Sequence, residues 1–116
     1  MGRRFLIAGL LVFALGTSAT MVQVATFEQL TVATSSIGIT TTVLDPAGKP
    51  QTQHCEAKLQ TAQVRYRWDG TAPTSTVGTP LEAGDILTID GNDVAKAIRF
   101  IRTGGTSGVL NIHCWT

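Results

Sequence analysis

From Val22 onward, apolar side chains recur at every second position. Val22, Val24, Leu30 and Val32 share even parity, the spacing of a strand with one buried face. Ile37, Ile39, Thr41 and Val43 form a second alternating run. Asp45-Pro46-Ala47-Gly48 predicts a turn: Asp accepts a local backbone bond, Pro presets φ and Gly permits positive φ. Lys49 to Gln53 reads as loop. Cys55, Ala57 and Leu59 then alternate on odd positions, and Ala62, Val64, Tyr66 and Trp68 on even ones. An unbroken strand cannot change parity and keep one face buried, so a bulge or turn is expected near Gln60-Thr61.

Asp69-Gly70 ends that strand, and Thr71 to Pro80 is a Pro/Thr/Gly loop with no helical period. Leu87 and Ile89 point inward within the run Asp85 to Asp90. Asn92 is placed to cap a single helical turn whose Val94, Ala97 and Ile98 fall at i, i+3 and i+4. Arg99 to Arg102 returns to strand, Thr103 to Gly108 is a loop, and Val109 to Trp115 is a final strand. About seven short strands with frequent turn signals predict an all-β fold: a small antiparallel β-sandwich or jelly-roll-like barrel with one short helical turn.

Residues 1–20 differ from the rest. Arg3 and Arg4 precede the apolar run Phe5 to Leu15, and small polar residues follow up to Thr20. That order fits a secretory signal, and the run is shorter than the roughly 20 apolar residues of a membrane-spanning helix. Two other readings stand beside it: translation starting at Met21, or an arm kept and buried against a partner. Either way residues 21–116 form one β domain. At about 95 residues it buries roughly 60–65% of its unfolded surface, so partner burial would add useful stability.

Charge narrows the range of partners. The chain carries 9 Lys/Arg against 8 Asp/Glu; without Arg3 and Arg4 it carries seven against eight, a net of −1. No like-charge run is present, so neither a nucleic-acid footprint nor a membrane surface is expected for the β domain.

The sequence holds no nucleophile elbow, phosphate loop or paired-histidine zinc helix. Its acidic residues are dispersed, and Asp85, Asp90 and Asp93 flank turns; Asp90-Gly91-Asn92-Asp93 lacks the rest of a calcium loop. No catalytic residue and no cofactor is assigned. His54-Cys55 and His113-Cys114 repeat a pair of zinc-type ligands, but neighbours in a strand point to opposite faces, so one tetrahedral site does not collect all four. The expectation is inward cysteines and outward histidines, with Cys55 and Cys114 a candidate disulfide if their strands are adjacent. Tyr66 and Trp68 share parity with Ala62 and Val64, which places both in the core; exposed, they would be a sugar-stacking platform. Arg65 and Arg67 are then the outward face of the same strand, either solvated or at an interface.

The segment Ala62 to Thr74 resembles a signature of small structural proteins of tailed bacteriophages. The resemblance continues in Thr76-Val77-Gly78, Leu81 to Asp85, Ile98 to Gly104 and Ser107 to Leu110, with Phe27 to Val32 and Ile37 to Thr40 fitting the openings of such proteins. It covers roughly Phe27 to Trp115 and transfers no catalytic residue. It implies a virion structural protein, a capsid decoration or head–tail junction component assembled in the host cytoplasm. Its implied partners are copies of itself and a major capsid, tail or portal protein. The expected contact surface uses Arg65 and Arg67 with Thr71, Pro73 and Thr74 of the following loop. The alternative is a secreted or periplasmic β-sandwich that binds a glycan or surface protein, with the leader as a true signal.

Overall fold

The computed structural model describes residues 24–116. The apolar leader, with its three readings, and Val22 lie outside the described residues. Strict alternation produces the strands of the larger sheet. In β2 (His54–Leu59), Cys55, Ala57 and Leu59 are buried and the residues between them exposed. β1 (Ala25–Val32) buries Leu30 and Val32, and β7 (Gly108–Trp115) buries Leu110, Ile112 and Cys114. With β5 (Ile86–Asp90) they form an antiparallel sheet of order β1-β7-β2-β5.

Register sets which side chains meet. Leu30, Leu110 and Leu59 lie in one row across β1, β7 and β2. Cys114, Cys55 and Ile89 form another across β7, β2 and β5. A second antiparallel sheet of order β4-β3-β6 faces this layer: β4 (Thr79–Leu81), β3 (Val64–Arg67) and β6 (Arg99–Arg102). It contributes Leu81, Val64 and Phe100 to the shared core, with Tyr66 packed against it. The fold is therefore a small all-β sandwich, with seven strands in two antiparallel sheets among the described residues.

The parity change near Gln60-Thr61 is where the chain leaves β2 in one sheet and enters β3 in the other. Asp45 to Gly48 turns as its residues dictate: Lys49 N–H donates to Pro46 O at 3.1 Å, and Gly48 has φ +72°. Thr79 and Pro80 lie in β4 instead of the preceding loop. Pro80 is tolerated because β4 is an edge strand, where one missing N–H breaks no central ladder.

Three further expectations fail. The run Ile37 to Val43 is not a strand. Ile37 makes a single bridge to Phe100 on the edge of β6, and Thr41–Leu44 is a short helix, α1. Val43 and Leu44 are both buried; a strand would send these neighbours to opposite faces, whereas a helical turn keeps both against the core.

The second helix, α2 (Asn92–Ala97), starts one residue earlier than expected, with Gly91 in the capping position. The described residues therefore hold two short helices and not one. Asn92 does not cap. It is buried, and its Nδ2 donates to Thr52 O at 2.9 Å, Leu44 O at 3.3 Å and Asp45 Oδ1 at 3.4 Å. These bonds turn Asn92, Ala95 and Ile98 inward, leaving Val94 at the surface.

Trp68 is the third. It is 50% exposed, not core. The last β3–β6 pair is Arg67 with Arg99, so Trp68 lies one residue past the sheet, where strand parity no longer determines which way a side chain points. The Arg67–Asp69 ion pair and the Thr71 N–H bond to Asp69 Oδ1 fold the chain away at that point.

Candidate functional site

Cys55 and Cys114 occupy directly paired positions on β2 and β7 and are joined by a disulfide, with Cα atoms 4.1 Å apart. Antiparallel pairing about this bridge fixes the outward rows beside it. His54 lies opposite Trp115, Glu56 opposite His113, and Phe27 opposite His113 from the other side. Two ring pairs result: His54 on Trp115 with centroids 5.7 Å apart, and Phe27 on His113 at 4.8 Å.

The outer face of the four-stranded sheet thus carries an aromatic strip. Phe27 is 53% exposed, and Ile86 on β5 is 54% exposed two rows away. Glu56 and Lys58 add both signs of charge, and Gln29 and Asn111 hydrogen-bond across β1 and β7 at 3.1 Å. Monomeric domains usually scatter such residues singly; a strip of rings on an open sheet face is the pattern of a contact surface.

Arg65, Arg67 and the loop that follows them are engaged within their own domain. Arg65 is turned back on its own domain: Nε donates to Ser75 O at 3.2 Å and Nη1 to Gly78 O at 2.7 Å, pinning the loop after β3. Arg67 grips Asp69 with both Nε and Nη2, at 3.1 and 2.5 Å. That fork holds the Asp69 carboxyl below its usual range and raises the Arg67 guanidinium above its own. Pro73 is buried. Thr74 Oγ1 accepts the Val77 N–H at 2.9 Å, shaping the loop tip, and Thr71 and Thr74 remain exposed there.

Trp68 leans on Tyr66, ring centroids 5.5 Å apart. It lines two open depressions. One, of about 240 Å³, is completed by Tyr66, Arg67, Asp69 and Thr79. The other, of about 290 Å³, is completed by Thr88, Asp90 and Val94. Asp90 is held by His54, whose Nδ1 donates to Oδ1 at 2.9 Å, so the second depression adjoins the aromatic strip.

Among the described residues, no three His, Cys, Asp or Glu side chains converge as a metal site, and no helix is long and apolar enough to cross a membrane. The outward strip was not foreseen from the sequence. Its only signal is the pair of histidines beside the cysteines, and that becomes readable once the Cys55–Cys114 pairing fixes the register.

Fold and surface together define a disulfide-bonded antiparallel β-sandwich with an open, ring-bearing sheet face. No protein-family model, curated protein or solved structure matches the chain.

Proposed function

We propose that this domain works by protein–protein contact, as a structural component of a tailed-phage particle that docks on shell, tail or neighbouring copies through the outer face of its four-stranded sheet. The observation that carries the reading is that face: Phe27, His113, Trp115 and His54 in one strip, with Ile86 exposed on the same face. Aromatic residues presented on an open sheet face are the usual anchors of an interface, and flanking charges of both signs set its register. The resemblance to small virion proteins, spread over the whole fold, supports the same reading. The expected interface is of the order of 800 Å² per partner. Particles purified by density gradient from a culture producing this chain should contain it at a copy number tied to particle symmetry. Its absence from particles, together with release as a free monomer, overturns the proposal.

The Cys55–Cys114 disulfide favours a second reading, an exported binding module, because such bonds persist in oxidising compartments. Intact mass of the mature chain separates the two: cleavage near Thr20 supports export, and an intact Met1 or a start at Met21 supports the particle.

A further inference from the structure

We infer that Trp68 is the stacking platform of a saccharide-binding site, taking a pyranose chain across the indole and the two depressions it lines. This site is separate from the sheet face proposed for assembly, and either can stand without the other.

Exposing half of an indole costs the burial that core side chains such as Phe100 gain. Trp68 is nevertheless held in place, with Tyr66 against its ring at 5.5 Å and the Arg67–Asp69 fork fixing the backbone on either side. A ring that is exposed but immobilised loses little entropy when something stacks on it.

The surroundings select the ligand. Here the ring is flanked by apolar and polar groups together: Tyr66, Arg67, Asp69 and Thr79 on one side, Thr88, Asp90 and Val94 on the other. A pyranose presents an apolar C–H face edged by hydroxyl donors, so it can lie on an indole while its rim bonds to carboxylate oxygens. Asp90 Oδ1 accepts from His54 Nδ1, and Oδ2 is the oxygen available to a ligand. Asp69 has both oxygens engaged by Arg67, which makes Arg67 and Thr79 the polar contacts on that side. Each depression falls below the roughly 300–1,000 Å³ of an enclosed small-molecule pocket. Their size suits one sugar ring apiece, stacked in the open, and their placement suits consecutive units of a chain.

The test is a glycan array probed with labelled full-length chain, carrying microbial polysaccharides and protein-linked glycans as separate arms, followed by fluorescence titration with the best oligosaccharide. The expected result is saturable binding that Trp68→Ala weakens by about tenfold or more. Trp68→Phe should retain part of it, Asp90→Asn should weaken it severalfold, and Lys49→Ala, at an exposed position outside both surfaces, should leave it unchanged. The melting temperature of Trp68→Ala should stay close to that of the parent, which excludes misfolding as the cause. Retention of no glycan above background overturns the proposal, as does equal binding by Trp68→Ala. Loss of particle attachment in Trp68→Ala without glycan binding would make Trp68 a protein contact and overturn it as well.

Discussion

Cys55 and Cys114 join the two central strands of the larger sheet, β2 and β7, and every outward row of that sheet is counted from their pairing. The bridge closes a chain separation of 59 residues. Loop-closure entropy for that length corresponds to about 4 kcal/mol. A domain of this size holds about 5–15 kcal/mol in total. Reduction, or the double change Cys55→Ala with Cys114→Ala, should therefore lower the melting temperature by well over about 10 °C. Calorimetry with and without reductant measures it; an unchanged transition would show that the two cysteines contribute only their packing.

Asn92 connects three segments that strand pairing does not: the end of α1 at Leu44, the stretch before β2 at Thr52, and the start of α2. Asn92→Ala leaves the Leu44 and Thr52 carbonyls without its amide. The expected cost is about 1–3 kcal/mol, the range for a buried polar group deprived of its partner. Hydrogen exchange should show faster opening around Leu44 and Thr52 while the central strands stay protected.

Much of the sandwich was legible because period-two alternation states directly which side of a strand is wet. Cys55, Ala57 and Leu59 needed nothing more. Legibility fails where a residue's environment is set by a segment distant in sequence. Val43 and Leu44 are adjacent apolar residues that alternation forces into a strand, and only their shared burial under a helical turn explains them. Asn92 looked like a cap because capping is the local use of an asparagine; its actual partners lie 40 and 48 residues away. Trp68 continued a correct parity one residue too far, past the last pair of β3. The aromatic strip needs inter-strand register, which no local pattern carries.

Phe100 and Gly108 test the packing between the layers. Phe100 is fully buried, and Phe100→Ala should cost about 3–5 kcal/mol. Gly108 opens β7 against Val64, Leu59 and the Ala62 carbonyl, and a Cβ there would stand 2.9 Å from that oxygen. Gly108→Ala should cost about 1–3 kcal/mol by overpacking. Chemical denaturation should show both shifting the midpoint with little change in slope, because neither alters the surface exposed on unfolding.

Two ion pairs predict the acid limb of stability. The hydrogen bond from Lys96 lowers the Asp45 carboxyl below its usual value, and the one from Arg67 does the same for Asp69. A carboxylate whose folded value lies below its unfolded one contributes stability that is complete above the unfolded value, about 3.9 for Asp. That contribution is lost as pH falls through the folded value. Stability should therefore decline as pH drops below about 4, and Asp45→Asn or Asp69→Asn should each flatten the decline. Both pairs lie at the surface, so the effect should be small and weaker in high salt. Thermal melts of the three proteins between neutral and acid pH supply the comparison.

The sheet's outer face can be tested without disturbing the core, because alternation separates the two sides of β1. Phe27 points outward and is half exposed, while Leu30, three residues on, points inward and is 5% exposed. Phe27→Lys should leave stability within about 0.5 kcal/mol of the parent, as surface changes do. Leu30→Lys places a charge in the core and should prevent folding. If the aromatic strip is the docking surface, Phe27→Lys should abolish incorporation into particles, or self-association by sedimentation, while its circular dichroism and melting temperature match those of the parent. Lys58→Glu, on the same face but two rows from Phe27, should have a smaller effect that depends on salt, because exposed interface charges act mainly on encounter and register. A Phe27→Lys chain that assembles as well as the parent would remove this face from the interface and leave the exposed loop bearing Thr71 and Thr74 as the surface to test next.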